Sequence, residues 1–271
     1  MAMHAAERAK PILVGVLNVT PDSFSDGGRH SGVDAAVAAG VAMATAGAGW
    51  IDVGGESTRP GASVVDARAE IERVVPVIKG LAAQLPAGIR ISIDTYKSET
   101  AAAAIRAGAT VVNDVSGGKL DPAILHVARG VTIVLGHMRG TPATMMEQPR
   151  FSDVVSDVTD ELRDAIRAAE RAGCRDIWWD PGIGFGKDLR ENLALLGKIG
   201  EMRAALGCPV MVGVSRKRFI GELTGRPVEN RVFGTAAAVA HLVWSGVDAL
   251  RIHDVPEMLD VVAVASALGR P

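Results

Sequence analysis

Cysteine is scarce in this chain: two thiols, Cys174 and Cys208, among 271 residues. They stand far apart, each where a helical pattern hands over to a strand-like one. Neither has a partner at metal-ligand spacing, so both read as structural thiols and the chain as cytoplasmic. An excess of charge of one sign is also lacking. Lysines and arginines number 29 against 31 acidic residues, which leaves no electrostatic footprint for nucleic acid or a membrane surface. No stretch approaches the roughly 18 uninterrupted apolar residues of a membrane span. Residues 1–10 mix charge with alanine and hold no apolar core, so they read as an extension rather than a secretory signal. No linker rich in proline, glycine or serine follows, and residues 11–271 are expected to form one domain. What the chain does have is apolar material, 48% of its residues, enough for a substantial core.

That material comes in a repeated unit. Short apolar runs at 12–17, 50–53, 90–93, 110–112, 131–135, 176–179, 210–214 and 249–252 are each followed by a polar or glycine-marked turn. Alanine-rich helical patterns lie between them, at 33–45, 67–84, 98–106, 122–128, 152–171, 190–205, 229–244 and 256–267. Strand–helix alternation implies parallel neighbours, because a parallel pair needs a crossover. Eight such units predict a closed (β/α)8 TIM barrel. A doubly wound open sheet is the competing arrangement. Its Gly-rich dinucleotide turn after the first strand is missing, since Asn18-Val19-Thr20-Pro21 stands there.

In such a barrel the active site lies at the C-terminal ends of the strands. Reading those ends in order gives Asn18, then Asp52 running into Gly55-Glu56-Ser57-Thr58-Arg59-Pro60-Gly61, then Asp94 and Asn113-Asp114. The later strands lead to His137, to Asp180 with Pro181-Gly182-Ile183-Gly184-Phe185-Gly186-Lys187, to Ser215-Arg216-Lys217, and to Arg251 with His253-Asp254. A scaffold has no use for a polar group at every strand end, because buried charge is costly unless paired. Asp52, Asp114 and Asp254 are each open to a second reading as structural acceptors. Asn18 also opens a stretch without helical or strand period that lasts until Gly32 and carries Phe24, which reads as a loop that closes over a ligand.

The ring has no nucleophile elbow, no cysteine nucleophile and no zinc spacing. Carboxylates, carboxamides, one lysine and one arginine suit a flat heterocycle with donors and acceptors on its edge. Arg251 and His253 emerge beside Asn18 if the barrel closes, where phosphate sites of this fold often lie. Asn18 is a neutral oxygen ligand, acceptable for a magnesium ion (Mg2+) that keeps most of its waters and bridges a diphosphate. The Gly182–Lys187 run lacks the spacing of a nucleotide phosphate loop, so its glycines read as room for close passage beneath the ligand.

Leu17-Asn18-Val19-Thr20-Pro21-Asp22-Ser23-Phe24-Ser25-Asp26-Gly27-Gly28, the Asp52–Gly61 block and Ser215-Arg216-Lys217 closely resemble the dihydropteroate synthases of folate biosynthesis. Ile93-Asp94-Thr95, Asn113-Asp114-Val115-Ser116-Gly117 and the Asp180–Lys187 block match as well, but are shared with other pterin-binding barrels. The resemblance implies condensation of (7,8-dihydropterin-6-yl)methyl diphosphate with 4-aminobenzoate. It implies that Asp94, Asn113, Asp180 and Lys217 hold the pterin with Arg251 against the ring. Asn18, Arg251 and His253 then hold the diphosphate, with magnesium at Asn18. Phe24, Thr58, Arg59 and Pro60 join Phe185 and Lys217 around 4-aminobenzoate. The implied chemistry is departure of diphosphate before amine attack, with Asp94, Lys217, Arg251 and His253 acting on it. The family also implies a homodimer, for which residues 235–244 offer a surface unless they pack into the core.

Three departures stand out. Gly136 stands where members often carry methionine, so one pocket wall is missing or refilled. Arg218 stands where some have serine, and either meets the benzoate carboxylate or faces solvent. Trp178-Trp179 replaces a small aliphatic pair, and one ring is expected inside the barrel with the other outside. Response to sulfonamides turns on shape around Phe24, Thr58, Pro60 and Arg218. Two other readings compete: a pterin-binding methyltransferase-like barrel, and a catalytically weak paralogue.

Overall fold

The eight apolar runs become eight parallel strands: β1 (Ile12–Asn18), β2 (Trp50–Gly54), β3 (Arg90–Asp94), β4 (Val111–Asp114), β5 (Thr132–Gly136), β6 (Ile177–Asp180), β7 (Met211–Gly213) and β8 (Ala249–Ile252). The computed structural model describes residues 10–19, 28–58, 64–147 and 150–269. Helices alternate with the strands: α1 (Gly28–Thr45), α2 (Ala67–Gln84), α3 (Ser98–Ala107), α4 (Ala123–Val127), α5 (Val154–Ala172), α6 (Leu189–Leu206), α7 (Arg218–Thr224), α8 (Val232–Ser245) and α9 (Val255–Leu268). The sheet runs β6-β5-β4-β3-β2-β1-β8-β7. Its two edges meet through one bridge, Trp179 to Val210, with the Trp179 N–H donating to the Pro209 carbonyl at 3.1 Å. The expected (β/α)8 barrel is therefore closed, and the β6–β7 seam is its thinnest join.

Strand periodicity sorts the side chains. Leu13, Ile51, Val53, Ile93, Val112, Ile133, Leu135 and Leu250 pack outward against the helices in the larger core. Val14, Trp50, Val111, Val134, Trp178, Met211 and Ala249 fill the barrel itself. The two neighbouring tryptophans divide as expected, Trp178 inside and Trp179 outside. Trp178 lies 5.0 Å from Trp50, centroid to centroid. Below them a polar floor closes the N-terminal end. Arg90 lies over the Trp50 ring and donates to the Thr110 carbonyl at 3.0 Å and to Thr132. Thr132 donates to Asp176, which also accepts from Trp178 Nε1 at 2.9 Å.

Helix starts follow cap chemistry where the sequence offers it. Asp66 accepts from the Ala69 N–H, and Asp188 forms a reciprocal box with Glu191. Two expectations need correction. α1 begins at Gly28, not near residue 33, so the segment after β1 is shorter than its lack of period implies. Glycine and alanine dominate that helix and leave little contrast between its faces, so no period shows. α7 was not anticipated, because seven residues are too few to display one. Residues 20–27, with Phe24, and 59–63, with Arg59 and Pro60, lie outside the described residues. Among the described residues no helix is long and apolar enough to cross a membrane.

Candidate active site

A cavity of about 410 Å³, counted to its open mouth, lies at the C-terminal ends of the strands. Its walls include Thr58, Asp94, Asn113, Asp180, Phe185, Lys217 and Arg251, seven of the residues singled out in the sequence, together with Val115, Gly136, Gly182 and Gly213. Strand register explains the convergence. Asp94 pairs with Asn113, Gly136 with Asp180 and Gly213 with Arg251, so inward positions of neighbouring strands fall side by side.

Arg251 organises the centre. Its Nε donates to Asp52 Oδ2 at 2.6 Å and its Nη2 to Asp94 Oδ2 at 2.7 Å. Asn113 Nδ2 donates to the same Asp52 oxygen at 3.1 Å. Asp52 is therefore neither a bystander nor a wall of the cavity: it lies beneath, fully buried, and holds both Arg251 and Asn113. The Oδ1 atoms of Asp52 and Asp94 are buried without a partner. Such atoms are rare, because each forfeits its hydration. Burial pushes the Asp94 carboxyl up to about 7, against the pull of Arg251, with Asp52 and Glu70 adding to the rise. Burial disfavours the Arg251 cation, yet Asp52 and Asp94 outweigh it and hold the guanidinium charged. Burial also raises Asp180, which accepts from the Gly182 N–H at 2.7 Å.

Lys217 reaches the opposite wall from a strained turn. Arg216 has φ +56°, a left-handed conformation that costs an L-residue. Three contacts hold it: the Arg216 N–H donates to Thr235 Oγ1 at 3.1 Å, Arg216 Nε donates to Asp254 at 3.0 Å, and Arg231 donates to the Arg216 carbonyl at 3.1 Å. Asp254 is thus a structural acceptor, as is Asp114, which takes the Ser116 and Gly118 N–H groups. Lys217 Nζ stands 4.5 Å over the Phe185 ring. Burial, helped by Arg251, brings its ammonium down to about 8 against the attraction of Asp180 and Asp94. Arg218 resolves to the solvent alternative: its side chain is 71% exposed and paired with Glu222.

A lysine that sequence reading left unassigned fixes Phe185. Lys187 is buried and donates to the carbonyls of Gly182 at 2.9 Å, Phe185 at 3.1 Å and His137 at 3.2 Å, and contacts His137 Nδ1 at 3.0 Å. Burial lowers it to about 7, with Lys217 adding and Asp180 opposing. His137 meets Glu161 through Nε2 at 3.1 Å, and burial lowers its ring to about 4. His137 therefore stands behind the cavity as a neutral spacer between Lys187 and Glu161. Gly182 lines the cavity with φ +68°, and a Cβ there would lie 1.9 Å from the carbonyl of His137, the residue after β5, so the backbone passes close to it. Gly136 is constrained in the same way. A Cβ would come within 2.6 Å of Val115 Cα, so no side chain fits, and Val115 supplies the wall that was in question.

Asn18 and His253 lie outside the cavity walls. Asn18 ends β1 exposed, and its Oδ1 and Asp94 Oδ2 both border the Cα of Gly54, each 3.6 Å from where a Cβ would stand. His253 Nδ1 lies 2.9 Å from Ser215 Oγ, and the same oxygen accepts from the His253 backbone N–H at 3.1 Å. No group of three or more histidines, cysteines or acids among the described residues could cage a metal. A neutral amide oxygen at an exposed strand end, as Asn18 offers, is the donor type a magnesium ion that keeps most of its water would take.

The chain matches the family of pterin binding enzymes over residues 14–253. It is 45% identical over 266 residues to a dihydropteroate synthase of Mycobacterium leprae, covering 94% of this chain and 92% of that one. A Xanthomonas albilineans dihydropteroate synthase solved with 4-aminobenzoic acid superposes with TM-score 0.88 at 44% identity, covering 96% and 93% of the two chains. The enzyme of that organism in complex with 7,8-dihydropteroate superposes with TM-score 0.84 at 42% identity, covering 96% and 94%.

Proposed function

Since the chain belongs to the dihydropteroate synthases, within the family of pterin binding enzymes, we propose how its own residues join (7,8-dihydropterin-6-yl)methyl diphosphate to 4-aminobenzoate and release diphosphate. The observation that carries the reading is the unpaired Asp94 Oδ1, buried in the wall of a cavity that Asn113, Asp180 and Lys217 also line. An aminopterin edge presents the N–H donors that such an oxygen lacks. Asp94 and Asp180 accept from that edge, Asn113 serves as both donor and acceptor, and Lys217 donates to a ring acceptor. Arg251 lies against the ligand while its Nε and Nη2 stay on Asp52 and Asp94.

Three carboxyls, Asp52, Asp94 and Asp180, surround two cations, Lys217 and Arg251. Ionised together these five leave one negative charge in excess at the cavity wall, with Lys187 behind Asp180 as the next cation. Such a field favours positive charge on the pterin methylene as its bond to diphosphate lengthens. The departing anion faces Arg251 and the imidazole of His253. Magnesium held at Asn18 would add charge neutralisation to the leaving group. The aryl amine is nucleophilic when neutral, so no residue is needed as a strong base. Thr58 and Phe185, with the Lys217 stem, form the side of the cavity nearest 4-aminobenzoate.

A second copy of the chain is the further partner we propose. It meets the outer face of α8, whose Thr235, Val239 and Leu242 are buried inward while Phe233 is 86% exposed. The relatives above give the methyltransferase-like alternative no support. Pteroate formation and diphosphate release from both substrates with magnesium test the reading. Diphosphate release without any pteroate in the presence of 4-aminobenzoate would sink it.

A further inference from the structure

Glu56 takes no part in the chemistry above, yet one carboxylate holds both ends of the segment between β2 and α2. Its Oε1 accepts from the Val65 backbone N–H at 3.1 Å and from the Tyr96 hydroxyl at 3.1 Å. Its Oε2 accepts from Lys97 Nζ. Lys97 Nζ donates onward to Glu70 Oε2 at 3.0 Å, which also accepts from Thr95 Oγ1 at 3.1 Å and Thr100 Oγ1 at 2.8 Å. Arg73 adds a donor to the Gly55 carbonyl at 2.8 Å. The Glu56 side chain is 6% exposed and that of Glu70 1%.

Two carboxylates and an ammonium withdrawn from water do not by themselves strengthen a fold, since well-packed apolar residues often do as well. What they supply is direction. Three donors converge on Glu56 from two places in the chain: an amide N–H at the segment's return, and a phenol and an ammonium on neighbouring residues just beyond β3. A carboxylate accepts on both oxygens, whereas a carboxamide must turn its NH2 toward one of those donors. The junction therefore pins the exit of β2, the entry to α2 and the exit of β3 to one point. Two residues past Glu56, Thr58 faces the cavity. The pterin side is held by other means, through Asp52 and Arg251.

We propose that Glu56 is a positioning residue for the second substrate: by tying Val65, Tyr96 and Lys97 to the β2 exit it sets Thr58 against the cavity, so that capture of 4-aminobenzoate depends on its carboxylate and capture of the pterin does not. This rests on the assignment of Thr58 to the 4-aminobenzoate side. Glu56→Gln raises KM for 4-aminobenzoate about 10-fold, the scale of one lost charge-assisted hydrogen bond. The Kd for the dihydropterin diphosphate, read by calorimetry, stays within about twofold. Glu56→Asp recovers part of the loss, and Tyr96→Phe, which removes one donor and leaves the carboxylate, costs about two- to threefold. Unchanged KM in both Glu56→Gln and Tyr96→Phe overturns the proposal, as does a parallel rise in pterin Kd. Hydrogen exchange separates this from the function itself. Peptides containing Val65 must exchange faster in Glu56→Gln than in the parent, whether or not pteroate forms; equal exchange overturns the positioning role. Should Glu56→Gln fail to fold, Tyr96→Phe decides by the same two readouts.

Discussion

Two arginine–aspartate clusters occupy the same barrel, one at each end. At the floor, Arg90 and Asp176 share Thr132, and every named donor finds an acceptor. The pair is also wet: the Arg90 side chain is 33% exposed and that of Asp176 54%. At the top, Arg251, 21% exposed, bridges Asp52 and Asp94, 0% and 10% exposed, and two carboxylate oxygens are left without partners. The same residue types thus close one end and open the other. What distinguishes a plug from a binding site here is unsatisfied capacity, not charge, because a buried acceptor left unpaired is costly until a ligand donates to it.

The sharpest way to break that comparison is to remove the arginine. Arg251→Met leaves Asp52 and Asp94 buried without their cation and should lower unfolding stability by about 3–5 kcal/mol in denaturant titration. A loss below about 1 kcal/mol would place the top cluster in the same class as the floor. Next, Asp94→Asn should lower kcat about 100-fold, about 2.7 kcal/mol in the barrier, with KM for 4-aminobenzoate within about threefold. An equal rise in KM with kcat intact would make Asp94 a binding group only. The third effect is on pH. Asp94 sits near 7, so protonation below that value removes its charge and turns one acceptor oxygen into a donor, and kcat/KM for the pterin substrate should rise with pH through about 7. Lys217, lowered to about 8, should turn the profile down above that. A rising limb that persists in Asp94→Asn would assign it to another group. The smallest effect belongs to the floor. Arg90→Lys should cost under about 1 kcal/mol of stability, as for an exposed pair, and leave kcat and both KM values within about twofold.

The strand ends were legible because barrel geometry assigns them a common side. Once eight runs were counted, Asp94, Asn113, Asp180, Lys217 and Arg251 had to converge, and they line one cavity. Asp52 was left open between two readings, although parity held the clue: it lies two residues from Trp50 on the inward face of β2. Lys187 carries no role legible in the sequence, because the glycine run around it resembles a phosphate loop without its spacing. Its actual partners are carbonyls, which carry no sequence signal. Glu70 and Lys97 were invisible for a related reason, since one sits inside an ordinary amphipathic helix and the other beside a helix start. Contacts among distant charged residues emerge only from packing. The helix starts at Gly28 and Arg218 failed for want of contrast between faces and of length.

The thin seam between β6 and β7 has a consequence for binding. Asp180 and Phe185 belong to one lip of that seam, and Gly213 and Lys217 to the other, with Lys217 Nζ already reaching across to the Phe185 ring. A substrate gripped from both lips acts as a clasp. A ligand held by residues of both lips would bind only the joined sheet, so its binding would stabilise that join by mass action.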